Sequence, residues 1–152
     1  MLLLLANVAR ADERLLLLSD VETRATDVEV GVMKPFDVRL VAERDAEDAQ
    51  ISTVAFTLEV PEGLLLVGEE VLVESLVALG TPRTGLHLAF QCVESQQIPV
   101  FHFRLVATRP LEQAELRLRP DTRTNFLGIV ACKDENFVKW ECEPATFAVT
   151  AK

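Results

Sequence analysis

Three cysteines, two histidines and a scatter of carboxylates are the side chains in this sequence with chemistry to offer. Cys92, Cys132 and Cys142 include no C-x-x-C pair, so their spacing argues against a zinc site or a dithiol redox motif. In an oxidising compartment, three cysteines make one disulfide and one spare thiol. Cys92 ends an alternating run on its apolar face and Cys132 ends an apolar run beside a turn, which favours Cys92 with Cys132. Cys132 with Cys142, closing a short loop, is the second pairing, and three separately buried thiols remain the alternative to both.

His87 and His102 lie in segments whose apolar residues alternate, Leu86/Leu88/Phe90 and Phe101/Phe103/Leu105. Read as a hairpin turning at Glu94–Gln97, these segments set His87 opposite Arg104 with His102 on the diagonal. A register shifted by two residues sets the histidines directly opposite, where they could share a metal. Two ligands do not make a site and Arg104 repels a cation, so no metal is expected.

The carboxylates are no more convergent. Asp45, Glu47 and Asp48 sit in a polar stretch, ERDAEDAQ, that lacks the glycine and the ligand spacing of a calcium loop, and they read as solvated. Glu69 and Glu70 follow Gly68, but nothing fixes a second carboxylate opposite them as a glycosidase needs. Ser19, Ser52, Ser75 and Ser95 have no G-x-S-x-G context. The expectation is a protein without catalytic residues or cofactor. Trp140 is the single tryptophan and there is no tyrosine, a poor inventory for stacking sugar rings, and Trp140 is expected to pack over the Cys142 region.

The elements that must position these residues are strands. In Ile51–Val67, ISTVAFTLEVPEGLLLV, the residues Val54, Phe56, Leu58 and Val60 alternate with Ala55, Thr57 and Glu59, as a strand with one buried face requires. Pro61-Glu62-Gly63 breaks the ladder and Leu64 restarts it, giving two strands around a corner. The same alternation recurs at Phe36–Leu40 and Ala114–Leu118, with shorter apolar runs at Arg14–Leu18, Thr26–Val30, Phe126–Ala131, Phe137–Trp140 and Phe147–Ala151. Val71–Leu79 is the one run where a helix competes with a strand. About nine to eleven strands and no linker describe an all-β, single-domain sandwich of two sheets, jelly-roll or immunoglobulin-like.

Composition sets the outer limits. The chain has 152 residues, enough for one domain, and a formal charge of −9 that disfavours nucleic acid and anionic membranes. It has no apolar segment of membrane-spanning length. Residues 1–11 put Leu2–Leu5 ahead of Ala9-Arg10-Ala11, a small-x-small pattern, and read as the clipped end of a secretory signal before a mature domain of residues 12–152. A leucine-rich first strand or short helix is the other reading of that segment.

The succession VEVGVMKPFDVRLV, a polar loop, ISTVAFTLEVPEGLLLVGEE, GLHLAF and VFHFRLVA resembles the cohesin-type β-sandwich. The likeness covers about Asp27 to Leu118 and is carried most clearly by Ile51, Phe56, Leu58, Val60 and Pro61, in the pattern I-x-x-x-x-F-x-L-x-V-P. It implies a non-enzymatic, secreted, periplasmic or cell-surface module that docks a protein partner through a sheet face or edge. Carbohydrate-binding modules share the architecture, so a polysaccharide is the alternative ligand. The chain departs from ordinary cohesins in its three cysteines, and no dockerin-contacting residue carries over by motif.

Overall fold

The computed structural model describes residues 13–45, 50–133 and 136–152. The expected leader, Glu47, Asp48 and the turn at Asp134-Glu135 therefore lie outside the described residues. The described residues form twelve strands: β1 (Glu13–Leu18), β2 (Asp27–Val30), β3 (Pro35–Arg44), β4 (Gln50–Glu59), β5 (Leu64–Val71), β6 (Ser75–Thr81), β7 (Gly85–Glu94), β8 (Gln97–Ala107), β9 (Leu111–Arg119), β10 (Gly128–Lys133), β11 (Asn136–Glu141) and β12 (Thr146–Ala151). A four-stranded sheet, β1-β3-β8-β5, packs on an eight-stranded one in which β11-β10-β4-β9-β12-β2 form a path and β7 and β6 extend from the other side of β4. All pairings are antiparallel except β12 with β2.

β4 is the centre of the larger sheet, pairing β7 on one side and β10 and then β9 on the other. Its alternation resolves as expected, with Val54, Phe56 and Leu58 wholly inside. Facing them from the smaller sheet are Val38, Leu40, Phe103 and Leu105. The Phe56 ring meets Phe101 and Phe103 edge-on at 5.7 and 6.4 Å, and those two stack at 5.4 Å. Each such side chain contributes about 1.5–3 kcal/mol by leaving water, which is why the sandwich forms around this strand.

The corner at Pro61–Gly63 carries the chain from one sheet to the other, and Gly63 adopts the positive φ of 93° that the turn demands. Val71–Leu79 is not helical. β5 ends at Val71, the chain crosses back to the larger sheet, and β6 begins at Ser75, pairing with β7. The β-branched residues of this run favour the pleat, and β7 offers an open edge to pair with.

The expected hairpin between the two histidine-bearing segments does not form. β7 pairs with β4 and β6, whereas β8 pairs with β3 and β5 in the other sheet. The short connection at Ser95-Gln96 passes between sheets. Two consecutive strands with alternating apolar faces look the same in sequence whether they lie side by side or face each other across a core. Here Leu88 and Phe103 point toward each other from opposite layers, so the shared hydrophobic face is the core itself.

Candidate functional site

The pairing registers set two rows of side chains on the outer face of β6-β7-β4-β10-β11. One row runs Leu79, His87, Ala55, Gly128, Glu141, and the next runs Val77, Ala89, Thr53, Val130, Lys139. Their sequence neighbours Leu88, Val54 and Ile129 are fully buried, so these rows face away from the core. In the second row Ala89, Thr53 and Val130 are small or β-branched and uncharged, whereas the first row carries His87, with Ala55 and Gly128 buried beside it, and the charged residues Glu141 and Lys139 stand at the β11 end. The outer face of the smaller sheet is the opposite. Asp37, Arg39, His102, Arg104 and Glu70 crowd its centre, with His102 Nε2 2.9 Å from Asp37 and Arg104 Nε 3.4 Å from the same carboxylate.

One end of the uncharged face is held by a turn between β9 and β10. Asp121 has no solvent-accessible surface, and its carboxylate accepts the backbone N–H of Arg123 at 2.9 Å and the Arg123 guanidinium at 3.2 Å. The same guanidinium donates to the carbonyls of Leu79 at 2.8 Å and Gly85 at 3.0 Å, at the closed end of the β6–β7 hairpin. Thr122 donates to the Thr84 carbonyl at 3.2 Å, and Leu58 N–H to that of Pro82 at 2.6 Å. Gly85 permits this approach: a Cβ there would lie 2.5 Å from the Asp121 carboxylate, and its φ is 110°. Phe126, from the same turn, lies over Gly128 and stands 6.4 Å from the His87 ring, so Ala55 between them is sealed from water. Lys139 sits over the Phe126 ring at 5.6 Å.

Burial alone would raise the Asp121 pKa. The bonds and charge of Arg123, with a contribution from His87, outweigh it and hold the carboxyl below the usual aspartate value. His87 Nε2 is 3.0 Å from Asp121 and 2.9 Å from the Thr124 hydroxyl. A hydroxyl, an imidazole and a carboxylate are thus together, but a single ring nitrogen faces both partners. A nucleophilic relay uses one nitrogen for each, so this geometry ties the turn to β7 and does not activate Thr124. This cluster is the arrangement that sequence reasoning missed. Its only local signal was Pro120-Asp121, a turn opener whose acidic side chain bonds its own backbone two residues on.

The other residues singled out above are dispersed. Cys92 and Cys132 are joined in a disulfide with Cα atoms 6.3 Å apart, tying β7 to β10 across β4. Cys92 is exposed, not inward-facing, because the ladder slips there and leaves Phe90, Gln91 and Cys92 opposite Ser52 alone. Cys142 is free and buried, and desolvation lifts its thiol to about 11. His102 lies on the other sheet from His87, so Arg104, expected opposite His87, instead pairs with Asp37, and Glu70 is 3.7 Å from His102 Nδ1. Asp45 is exposed beside the undescribed stretch, and Glu69 is exposed without an ion partner among the described residues. Ser52 is buried and donates to the Val130 carbonyl at 3.4 Å. Ser19 bonds the carbonyl of Asp27 at 3.1 Å and Ser95 that of Gln97 at 2.9 Å, each a turn-closing role. Ser75 begins the exposed strand β6. Trp140 is 37% exposed at the sheet edge and carries the Arg44 guanidinium 5.8 Å above its ring, so it is not sealed over Cys142. Among the described residues, no three His, Cys, Asp or Glu side chains converge as metal ligands, and no helix is long and apolar enough to cross a membrane.

The fold as a whole is similar to that of solved cohesin modules. A cohesin module from a family 33 glycoside hydrolase of Clostridium perfringens superposes with a TM-score of 0.59 at 14% identity, covering 92% of this chain and 98% of that one. The seventh ScaB type I cohesin of Pseudobacteroides cellulosolvens gives 0.60 at 11% identity, over 92% and 93% of the two chains. The third ScaB cohesin of R. flavefaciens, solved in complex with a group 1 dockerin, gives 0.56 at 14% identity, over 95% and 98%. No family model and no curated protein matches the sequence.

Proposed function

We propose that this chain is a non-enzymatic docking module whose protein partner seats on the outer face of β6-β7-β4-β10-β11. The observation that carries this reading is the contrast between the two sheet faces. One is broad, weakly polar and braced at its rim by Asp121 and Arg123, while the other carries the paired charges of Asp37, His102, Arg104 and Glu70 at its centre and an apolar strip of Val106 and exposed Leu65 beside them. A flat uncharged face held rigid binds at low entropic cost, and extra side chains on it clash instead of folding away. The dockerin seated on the structurally similar R. flavefaciens cohesin supports a protein as the partner. A polysaccharide is the weaker reading, because among the described residues Trp140 is the one exposed large aromatic. The Cys92–Cys132 disulfide supports work outside the cytoplasm, in a secreted, periplasmic or surface setting.

The test is capture from the source organism's secreted proteins, and from a panel of dockerins, with the wild type and with Ala89→Arg. Ala89 is only partly exposed, so the fold of the variant is checked by circular dichroism. A protein captured by the wild type and lost by at least about tenfold with Ala89→Arg supports the reading. A protein retained equally by both moves the site elsewhere, and retention of polysaccharide without protein replaces it.

A further inference from the structure

We infer that β6 is a self-association edge, at which a second copy of this chain adds its own β6 antiparallel and joins two sandwiches into one continuous sheet. Among the described residues β6 pairs with β7 alone, and all seven of its residues, SLVALGT, are exposed. Leu76, Val77 and Leu79 are 62%, 51% and 58% exposed, among the largest values for apolar side chains in the molecule. The adjoining corner adds exposed Val71 and Leu72. Proteins that keep an edge strand solitary place lysine, proline or an inward charge on it. β6 carries none of these; its one irregularity is the bulge at Leu76.

The ends of the strand specify what would cover it. Glu74 immediately precedes β6 and Arg83 is the second residue after it, in the turn to β7, and neither has an ion partner among the described residues. Antiparallel pairing about Ala78 or about Leu79 sets Glu74 of one copy opposite Pro82 or Thr84 of the other, beside Arg83. The two-fold then creates this attraction twice, while the strand between is uncharged and opposes nothing to itself. A parallel copy would set Glu74 against Glu74. An unrelated peptide would need a basic residue and an acidic residue at the same spacing, which β6 already supplies to itself. The docking reading is separate: Ala78 shares the side of β6 that pairs with core residue Leu88, whereas Val77 and Leu79 belong to the outer face.

Analytical ultracentrifugation of the disulfide-intact chain over a concentration series tests this. The expected result is a reversible monomer–dimer equilibrium, weakened at least about tenfold by Ala78→Lys, which brings two cations to the seam without altering the circular dichroism. Glu74→Arg alone weakens the dimer, and Glu74→Arg with Arg83→Glu restores it. A chain that stays monomeric throughout, or a dimer indifferent to Ala78→Lys, overturns the inference. A double variant no tighter than Glu74→Arg overturns the antiparallel arrangement. Capture of a partner by the outer face is read separately with Ala89→Arg, so either idea can fail alone.

Discussion

Asp121 serves the β9–β10 turn and the β6–β7 hairpin at once, because its carboxylate holds Arg123 where the guanidinium reaches the carbonyls of Leu79 and Gly85. Asp121→Asn keeps the shape and removes the charge, and is expected to cost about 2 kcal/mol in urea denaturation. Because the folded carboxyl has the lower pKa, its contribution is complete above the ordinary aspartate range and is lost as pH falls through the depressed value. The gap in stability between wild type and Asp121→Asn should therefore be constant near neutrality and close in acid. A gap that widens on acidification would show the sign to be wrong. Cys142 behaves oppositely. With its pKa lifted to about 11 by burial, it should resist iodoacetamide at neutral pH in the native protein and react once denaturant opens the fold. Rapid native labelling, followed by mass spectrometry, would contradict its burial.

At the level of elements, the β6–β7 hairpin depends on glycine. Gly80 and Gly85 have φ of 89° and 110°, and a Cβ on Gly80 would come 2.0 Å from the Gly85 carbonyl. Gly85→Ala is expected to lose about 2 kcal/mol from backbone strain and to push Asp121 off its partners, so hydrogen exchange should rise at Leu79 and Leu86 before it rises in β3 or β8. Uniform exchange in the variant would mean the hairpin is not separately braced. Strand positions were legible in the sequence wherever a polar exterior met an apolar interior, as in β4. Which strands pair was not, and the β7–β8 reading failed for that reason: alternation specifies the buried side of a strand and says nothing of its lateral neighbour. β6 was ambiguous because an exposed edge buries neither face, and burial is what writes a period into a sequence.

Across the whole molecule, the Cys92–Cys132 bond closes a loop with a separation of 40 residues, which chain entropy values at about 4 kcal/mol. Replacing both cysteines with serine should lower the denaturation midpoint accordingly, and reductant should do the same to the wild type while leaving the variant unmoved. A reductant effect on the variant would point to another cause. The bond spans β4, so β7, β4 and β10 are tied at one end by sulfur and at the other by the turn that carries Asp121 and Phe126. The uncharged outer face lies between these two fastenings.

The sequence by itself determined the all-β class, the corner at Pro61–Gly63 and the inward set Val54, Phe56 and Leu58, because each follows from local periodicity or turn chemistry. Only the tertiary structure decided that β7 and β8 oppose each other across the core, that Cys92 faces outward on a slipped ladder, and that Asp121 closes the β6–β7 hairpin. Those features arise from contacts between segments far apart in the chain, where geometry in space sets the partner and no spacing along the chain records it.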